Sequence, residues 1–288
     1  MSPPKLTPML KQYLSIKEAY PDTILFYRMG DFYEMFFEDA QVASRVLDIT
    51  LTSRNKKEES PVPMCGVPHR AVSGYIARMI EHGYKVAVCD QIEDPAVAKG
   101  LVKRDVVRVI TPGMIIDDTF LDERSHNFVL AIARHGDDFG LSYMDISTGL
   151  FRLFESADQT AIVDESLRIS AREILLSESA KTDAQMASIR GAQTERAITY
   201  LEDSVFDHKR CYNRLTEQFN TISLEGFGCE GLLAGVRAAG ALIFYVRETQ
   251  KQKIAHLTHL ETYSLGHYLL VDDSSCRNLE LEKNLHTH

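Results

Sequence analysis

A phenylalanine and a glutamate near the start of the chain sit where their side chains could do chemistry. The turn dipeptide Gly30-Asp31 is followed by Phe32-Tyr33-Glu34-Met35-Phe36-Phe37, a run rich in strand formers. Side chains alternate across a strand, so Phe32, Glu34 and Phe36 should share one face. Asp31, Tyr33, Met35 and Phe37 should share the other, which reads as the core face. Phe32 then stands at the turn with a carboxylate two residues on. That carboxylate is costly if buried without a partner. An aromatic ring beside an acid on an exposed strand suits a nucleobase. The ring can wedge between base steps in the minor groove, and the acid can accept a hydrogen bond from a base edge. Because an acid repels phosphates, it makes a poor general DNA binder and a good discriminator, its cost offset only where a base is displaced. Spacing alone leaves the plainer alternative open, in which Phe32 is a core residue and Glu34 a solvated one.

Other spacings point to less. Gly226-Phe227-Gly228-Cys229-Glu230-Gly231 fits the dinucleotide pattern G-x-G-x-x-G. The residues before it, Thr221–Glu225, are no hydrophobic strand, so a tight turn opening a helix is expected. His256 and His259 could share a helical face, and His286 and His288 lie near the end. No third ligand completes a zinc pattern. The cysteines (65, 89, 211, 229 and 276) are odd in number, scattered and free of C-x-x-C pairs. Cys65 and Cys89 have no base nearby in sequence, and small buried thiols in a reducing cytoplasm fit best. No G-x-x-x-x-G-K-[S/T] occurs, so no phosphate cradle for ATP is expected in this chain.

The elements that must position Phe32 and Glu34 read as a compact mixed α/β unit. Thr7-Pro8 opens a helix that Pro21 closes. Thr23–Met29 and Phe32–Phe37 form a hairpin around Gly30-Asp31. Glu38–Asp48 is helical, Ile49–Thr52 a short strand and residues 54–60 a charged loop. A helix over Ala71–His82 precedes strands at Tyr84–Gln91 and Val106–Ile110, and Thr111-Pro112-Gly113 stops the last. Strand-like runs follow at Phe128–Ala133, Gly140–Ile146 and Phe151–Phe154. A helix at Asp158–Arg168, a strand at Glu173–Leu176 and helices at Asp207–Phe219 and Glu230–Arg247 complete a second mixed α/β domain.

Composition permits this. The 288 residues are 44% hydrophobic and 25% charged, the balance of a globular chain. No apolar run approaches the ~18 residues of a membrane span, and Met1–Lys5 lacks the apolar core of a signal peptide behind it. The net charge of −9 argues against a nucleic-acid partner only until it is divided. Residues 1–115 hold 15 Lys and Arg against 14 Asp and Glu, a net of +1; the rest hold 17 against 27, a net of −10. Any DNA contact belongs to the first part and cannot rest on bulk charge.

Phe26-Tyr27-Arg28-Met29-Gly30-Asp31-Phe32-Tyr33-Glu34 resembles the mismatch-recognition signature of the bacterial MutS family of DNA mismatch-repair proteins. The likeness continues through Leu47–Thr52, Pro63–Pro68, Gln91–Pro95 and Val107–Gly113. Arg277–Leu281 resembles the start of that family's core domain. The resemblance implies that Phe32 stacks on a mispaired or unpaired base and Glu34 bonds to it in a kinked duplex. Discrimination is then largely a readout of deformability, since a mismatched step is already poorly stacked. Where the family commonly has aromatic or histidine pairs before an alanine, this chain reads His69-Arg70-Ala71. The basic pair near Arg54 reads Ser53-Arg54. Arg54, Arg70, Arg78 and Lys99 are the candidates for phosphate contacts, each also readable as a solvated surface base.

The resemblance further implies a mismatch-recognition domain over 1–115, a linker over 116–125 and a ribonuclease-H-like connector domain over 126–255. A truncated start of the core domain would occupy 256–288. ATP and Mg belong to parts of the full-length family outside this stretch, so no cofactor, metal or catalytic residue is expected here. The implied partners are mismatched duplex DNA and, through the acidic connector, a MutL-type protein; the family dimerises at full length, while this piece is expected to be a monomer. The implied location is the bacterial cytoplasm, with the nucleoid. Two alternatives stand beside this reading. Asp145-Ile146-Ser147-Thr148-Gly149 resembles the first hairpin of ribonuclease-H-like folds, where an aspartate can bind a catalytic metal, so the second domain could be a metal-dependent nuclease. The chain could also be a protein-interaction piece without DNA binding of its own.

Overall fold

A computed structural model describes residues 7–54, 61–93, 100–114, 127–194, 196–251, 254 and 256–265. These form two compact units. The first comprises the described residues up to Asn127 with Tyr245–Ile254, and the second Phe128–Phe244 with those from 256 onward.

The first unit contains helix α1 (Pro8–Ala19), strands β1 (Thr23–Met29) and β2 (Phe32–Phe36), helix α2 (Phe37–Leu47) and strands β3 (Thr52–Arg54) and β4 (Val62–Pro68). Helix α3 (Val72–Glu81) and strands β5 (Lys85–Gln91) and β6 (Arg104–Ile110) complete it. The sheet order is β3-β4-β2-β1-β5-β6, antiparallel except for the β1–β5 pair. Both faces are covered. On one, Ile24, Phe26, Tyr33 and Met35 pack with Ala40, Leu47, Ile76 and Met79 of α2 and α3. On the other, Leu25, Tyr27 and Phe36 pack with Met9, Leu10 and Tyr13 of α1. A central strand buried on both faces reads as a continuous apolar run, which accounts for Thr23-Ile-Leu-Phe-Tyr.

Double coverage corrects the expected facing of β2. Phe36 is fully buried, against α1. Phe37 is not a strand residue beside Tyr33 and Met35. It adopts φ +55° and starts α2, its ring 6.2 Å from that of Tyr13. The buried Asp39, two residues on, ties three elements together. Its carboxylate accepts from Tyr13 Oη (2.9 Å) and Leu25 N (3.0 Å) and pairs with Lys17 Nζ (2.9 Å). The strand expected at Ile49–Thr52 lies instead at Thr52–Arg54, and β4 was not expected, since Pro63 and Pro68 remove two backbone donors from it. The hydroxyl of Thr7 caps α1 by accepting from Leu10 N (3.4 Å), with Pro8 in the first turn. Thr7→Ala should therefore cost about 1 kcal/mol, a fall of a few degrees in the melting midpoint of this unit. An unchanged midpoint would remove the cap from the account.

The second unit opens with an antiparallel meander, β7 (Phe128–His135), β8 (Asp138–Asp145) and β9 (Leu150–Ser156). Helix α4 (Gln159–Ile169) returns the chain so that β10 (Glu173–Ser177) pairs parallel to β7. After helix α5 (Ala187–Ala192), β11 (Ala197–Leu201) pairs parallel to β10. Helices α6 (His208–Phe219) and α7 (Leu233–Gln250) precede β12 (Glu261–Thr262). The order β11-β10-β7-β8-β9-β12 is the ribonuclease-H-like α/β sheet expected of this half. Strand β11 and helix α5 were not anticipated; both are short, and β11 is a half-buried edge strand. Helix α7 lies close on the sheet. A Cβ on Gly140 of β8 would come within 2.1 Å of the Ala234 backbone, and one on Gly240 within 2.3 Å of Cys211 of α6. Only glycine permits either approach.

Residues 256–265 complete this sheet rather than standing apart from it. β12 pairs parallel to β9, and the Tyr263 ring stacks on Phe154 with centroids 5.5 Å apart. The linker read at 116–125, the core-like segment Arg277–Leu281, Cys276, His286 and His288 lie outside the described residues. Among the described residues, no helix is long and apolar enough to cross a membrane.

Candidate nucleic-acid interface

The β1–β2 hairpin turns through two residues. Gly30 has φ +58°, the positive value that primed hairpin turns require, and Met29 pairs with Phe32. Phe32 is 48% exposed and is the one exposed phenylalanine among the described residues. Its neighbours are held from both faces of the sheet. On the α2–α3 face Tyr33 is buried and donates from Oη to Asp90 Oδ1 on β5 (2.8 Å). The Tyr33 ring lies 5.5 Å from the His69 ring and 5.5 Å from the Arg28 guanidinium. The backbone N–H of His69 donates to Asp31 O (2.8 Å), fastening the tip to the turn after β4. Phe32 thus projects from a braced platform.

Glu34 lies on the α1 face, its side chain 20% exposed. Across the ladder it faces Tyr27 on one side and Gly66 on the other. Gly66 adds no side chain over the carboxylate, and on the same face Arg54 reaches back along the sheet. Arg54 passes 5.9 Å from the Phe36 ring and places Nη1 3.2 Å from Glu34 Oε2. On the far side Arg104, itself buried, lies 5.0 Å from the Tyr27 ring and donates to Arg28 O (2.7 Å) and Gln12 Oε1 (3.3 Å). Burial raises the Glu34 pKa, and the Arg54 and then the Arg104 charges offset only part of that, so the carboxyl stays above its ordinary range. Burial thus makes protonating this carboxyl less costly than protonating a solvated one.

The other candidates separate in space. Arg54 joins the site, as Glu34's partner. Arg70 is exposed in the 3-10 turn His69–Ala71 directly after Pro68, which pairs with Phe32, so it stands near the tip. Arg78 sits in the last turn of α3, donating to Val46 O of α2 (3.4 Å) on the way toward the opposite end of the sheet. Lys99 lies outside the described residues. Sequence reading put Tyr33 on the core face, as found, but missed its partner Asp90, the bracing by His69 and the role of Arg104. They look like scattered strand and loop residues until β5 and β6 align with the hairpin.

The remaining motifs fall into structural roles. Gly228 has φ +71° in a turn ahead of α7. His256 and His259 share no helix: the ring Nε2 of His256 lies 2.9 Å from Ile146 O, and His259 packs beside Phe227. Cys65 and Cys89 are buried, and burial pushes both thiols up to about 12. Asp145 is buried at the end of β8 and accepts from Ser147 N (2.9 Å) and Oγ (2.6 Å). Among the described residues no three His, Cys, Asp or Glu side chains converge as a metal site would need.

A doubly covered mixed sheet with a braced Phe-x-Glu tip is followed by a second mixed α/β unit. The family model for MutS domain I matches residues 7–119, and that for MutS domain II residues 127–261. The chain belongs to the MutS family. It is similar to proteins named DNA mismatch repair protein MutS. That of Desulfosudis oleivorans is 56% identical over 279 residues, covering 97% of this chain and 32% of the relative. That of Desulforapulum autotrophicum is 54% identical over 292 residues, covering 100% and 33%. That of Symbiobacterium thermophilum is 45% identical over 289 residues, covering 99% and 33%. The chain spans about a third of the length of these curated relatives.

Proposed function

We propose that this chain recognises mispaired or unpaired bases in duplex DNA by inserting Phe32 into the minor groove of a kinked duplex while Glu34 bonds to the displaced base. The observation that carries the reading is the exposed Phe32 ring on a hairpin braced from both faces, beside a carboxyl held above its ordinary pKa. The names of the relatives support it. A rigid tip keeps little wedge entropy to lose on insertion, so the duplex rather than the protein must deform. A mismatched step deforms at lower cost than a paired one. In this reading Arg54 and Arg70 serve the flanking phosphates, with Arg54 released from Glu34 to do so, and Arg78 and Lys99 are weaker candidates for backbone contacts. The second unit carries the acidic balance and is the surface we assign to a MutL-type partner. Dimer formation, ATP and Mg belong in this reading to the longer protein, acting in the bacterial cytoplasm with the nucleoid.

The decisive experiment is binding to matched and mismatched duplexes across salt concentrations. With a net charge of −9, the chain alone should neutralise few phosphates. Affinity for matched duplex should be weak, in the ~10⁻⁴–10⁻⁶ M range of non-specific binding or below it, with a shallow salt slope. Nanomolar retention of matched duplex would contradict this. Because the sequence has no phosphate-cradle motif, purified chain should release no phosphate from ATP above a buffer control. Release that survives repurification would overturn that expectation.

A further inference from the structure

Two cations act on the Glu34 carboxylate, and they are held in different ways. Arg104 on β6 is buried and anchored by three hydrogen bonds. Its Nε donates to Arg28 O (2.7 Å), and its Nη1 to Gln12 Oε1 (3.3 Å) and Val102 O (2.9 Å). Moving it would strand those acceptors. Arg54 on β3 is held far less. Its side chain is 36% exposed, and among the described residues its contacts are the 3.2 Å pair with Glu34 Oε2 and the Phe36 ring 5.9 Å away. It is also the one donor to the Glu34 carboxylate among those residues. The other surrounding elements bring no replacement. Strand β1 sets Tyr27 opposite Glu34, its hydroxyl donating to Gln12, and β4 sets Gly66 there. The α1 cation Lys17 is committed to Asp39.

An ion pair made through one long, partly exposed contact is weak. A DNA phosphate offers the same guanidinium two oxygens in a bidentate geometry, the stronger pairing. The two uses of Arg54 therefore compete whenever the tip meets a duplex. Nearby phosphates also oppose an ionised carboxylate. Arg104, fixed by its anchors, does not swing over to compensate.

We infer that Arg54 changes partner when the tip meets DNA, from Glu34 to a backbone phosphate, and so converts Glu34 from a neutralised carboxylate into a group that takes a proton from solvent and donates it in a hydrogen bond to a displaced base. Arg54 is then a positioning residue that sets specificity through Glu34. The inference rests on the recognition role proposed for Phe32 and Glu34, and adds the event that changes the charge of the carboxyl.

The test follows the Glu34 carboxyl carbon of the 288-residue chain by NMR through a pH titration. The chain is titrated free and saturated at low salt with a short duplex holding one mispair. In the free chain Arg54→Gln should raise the Glu34 midpoint, because a stabilising positive charge is lost, and Arg54→Lys should hold it near the wild type. With duplex bound, the two midpoints should converge. The wild type loses Arg54 and gains phosphates, whereas Arg54→Gln gains phosphates only. Wild-type affinity for the mispaired duplex should fall as pH rises from the free midpoint to the bound one, by up to about tenfold per pH unit, the limit for one proton. Arg54→Gln should narrow that window, and Glu34→Gln should remove it. If Arg54→Gln melts early, Arg54→Met, which keeps an apolar stem on Phe36, takes its place. Equal rises in the two chains on binding would overturn the exchange and leave the recognition role standing. An unchanged free midpoint in a folded Arg54 variant would also overturn the exchange. A duplex that moves the Glu34 midpoint in neither chain would overturn both readings.

Discussion

Phe32→Ala should leave the chain melting almost where the wild type does and remove most of its preference for mismatched DNA. The ring is 48% exposed, so truncation forfeits only part of the ~1.5–3 kcal/mol of a fully buried side chain, about 1 kcal/mol. A core phenylalanine would cost ~3–5 kcal/mol. The lost stacking, in contrast, is worth ~1–3 kcal/mol per base, about a 5- to 150-fold loss in affinity for a mispair. Matched duplex, into which the wedge enters only at the cost of unstacking a sound step, should be affected far less. Melting can be measured on this chain. Discrimination belongs in a full-length family member carrying the same substitution, where DNA binding is strong enough to compare duplexes. A large fall in melting temperature with unchanged selectivity would falsify the wedge assignment and return Phe32 to the core.

Substitutions at Glu34 should act in the opposite direction on matched DNA. Glu34→Ala removes a charge that repels phosphates. Matched-duplex affinity should then hold or rise about 2- to 5-fold, the scale of one partly exposed charge interaction. Selectivity should fall about tenfold or more with the lost base-directed hydrogen bond. Glu34→Gln separates charge from hydrogen bonding. The Glu34 pKa in the fold is raised, so the native state binds this proton more tightly than the unfolded chain does. Ionising Glu34 therefore costs stability above its folded pKa and nothing below its unfolded one. Glu34→Gln should match wild-type stability in acid and equal or exceed it near neutrality. Where the base presents a ring-nitrogen acceptor, the carboxyl must be protonated to donate. Wild-type selectivity for such mispairs should fall as pH rises through the raised pKa, whereas the amide of the Gln variant donates at every pH and should give a flat profile. A wild-type profile as flat as that of Glu34→Gln would show that Glu34 binds as the anion.

Arg54 shows how far sequence reading reached. Its residue type and its place in a basic loop made it a phosphate candidate, yet nothing local indicated that it would lie 3.2 Å from Glu34. That pairing depends on β4 lying between β3 and β2, and β4 was hidden by its two prolines. The bracing of the tip was hidden for the same kind of reason. Tyr33 and Asp90 are 57 residues apart and meet only because β1 pairs parallel with β5. Phe37 was misjudged because a two-residue alternation was carried one step past a strand that ends in a residue with positive φ.

The chain's own order of residues was enough to place the hairpin, its turn at Gly30, the capped first helix and the Phe-x-Glu pair. All of these are written in contacts between near neighbours, where backbone preference and side-chain alternation act directly. The order of strands, the exposure of Phe32 and the guanidinium beside Glu34 were decided by the tertiary structure. Each depends on which distant segments share a sheet, and that is set by burying both faces of the sheet at once rather than by the preference of any one segment.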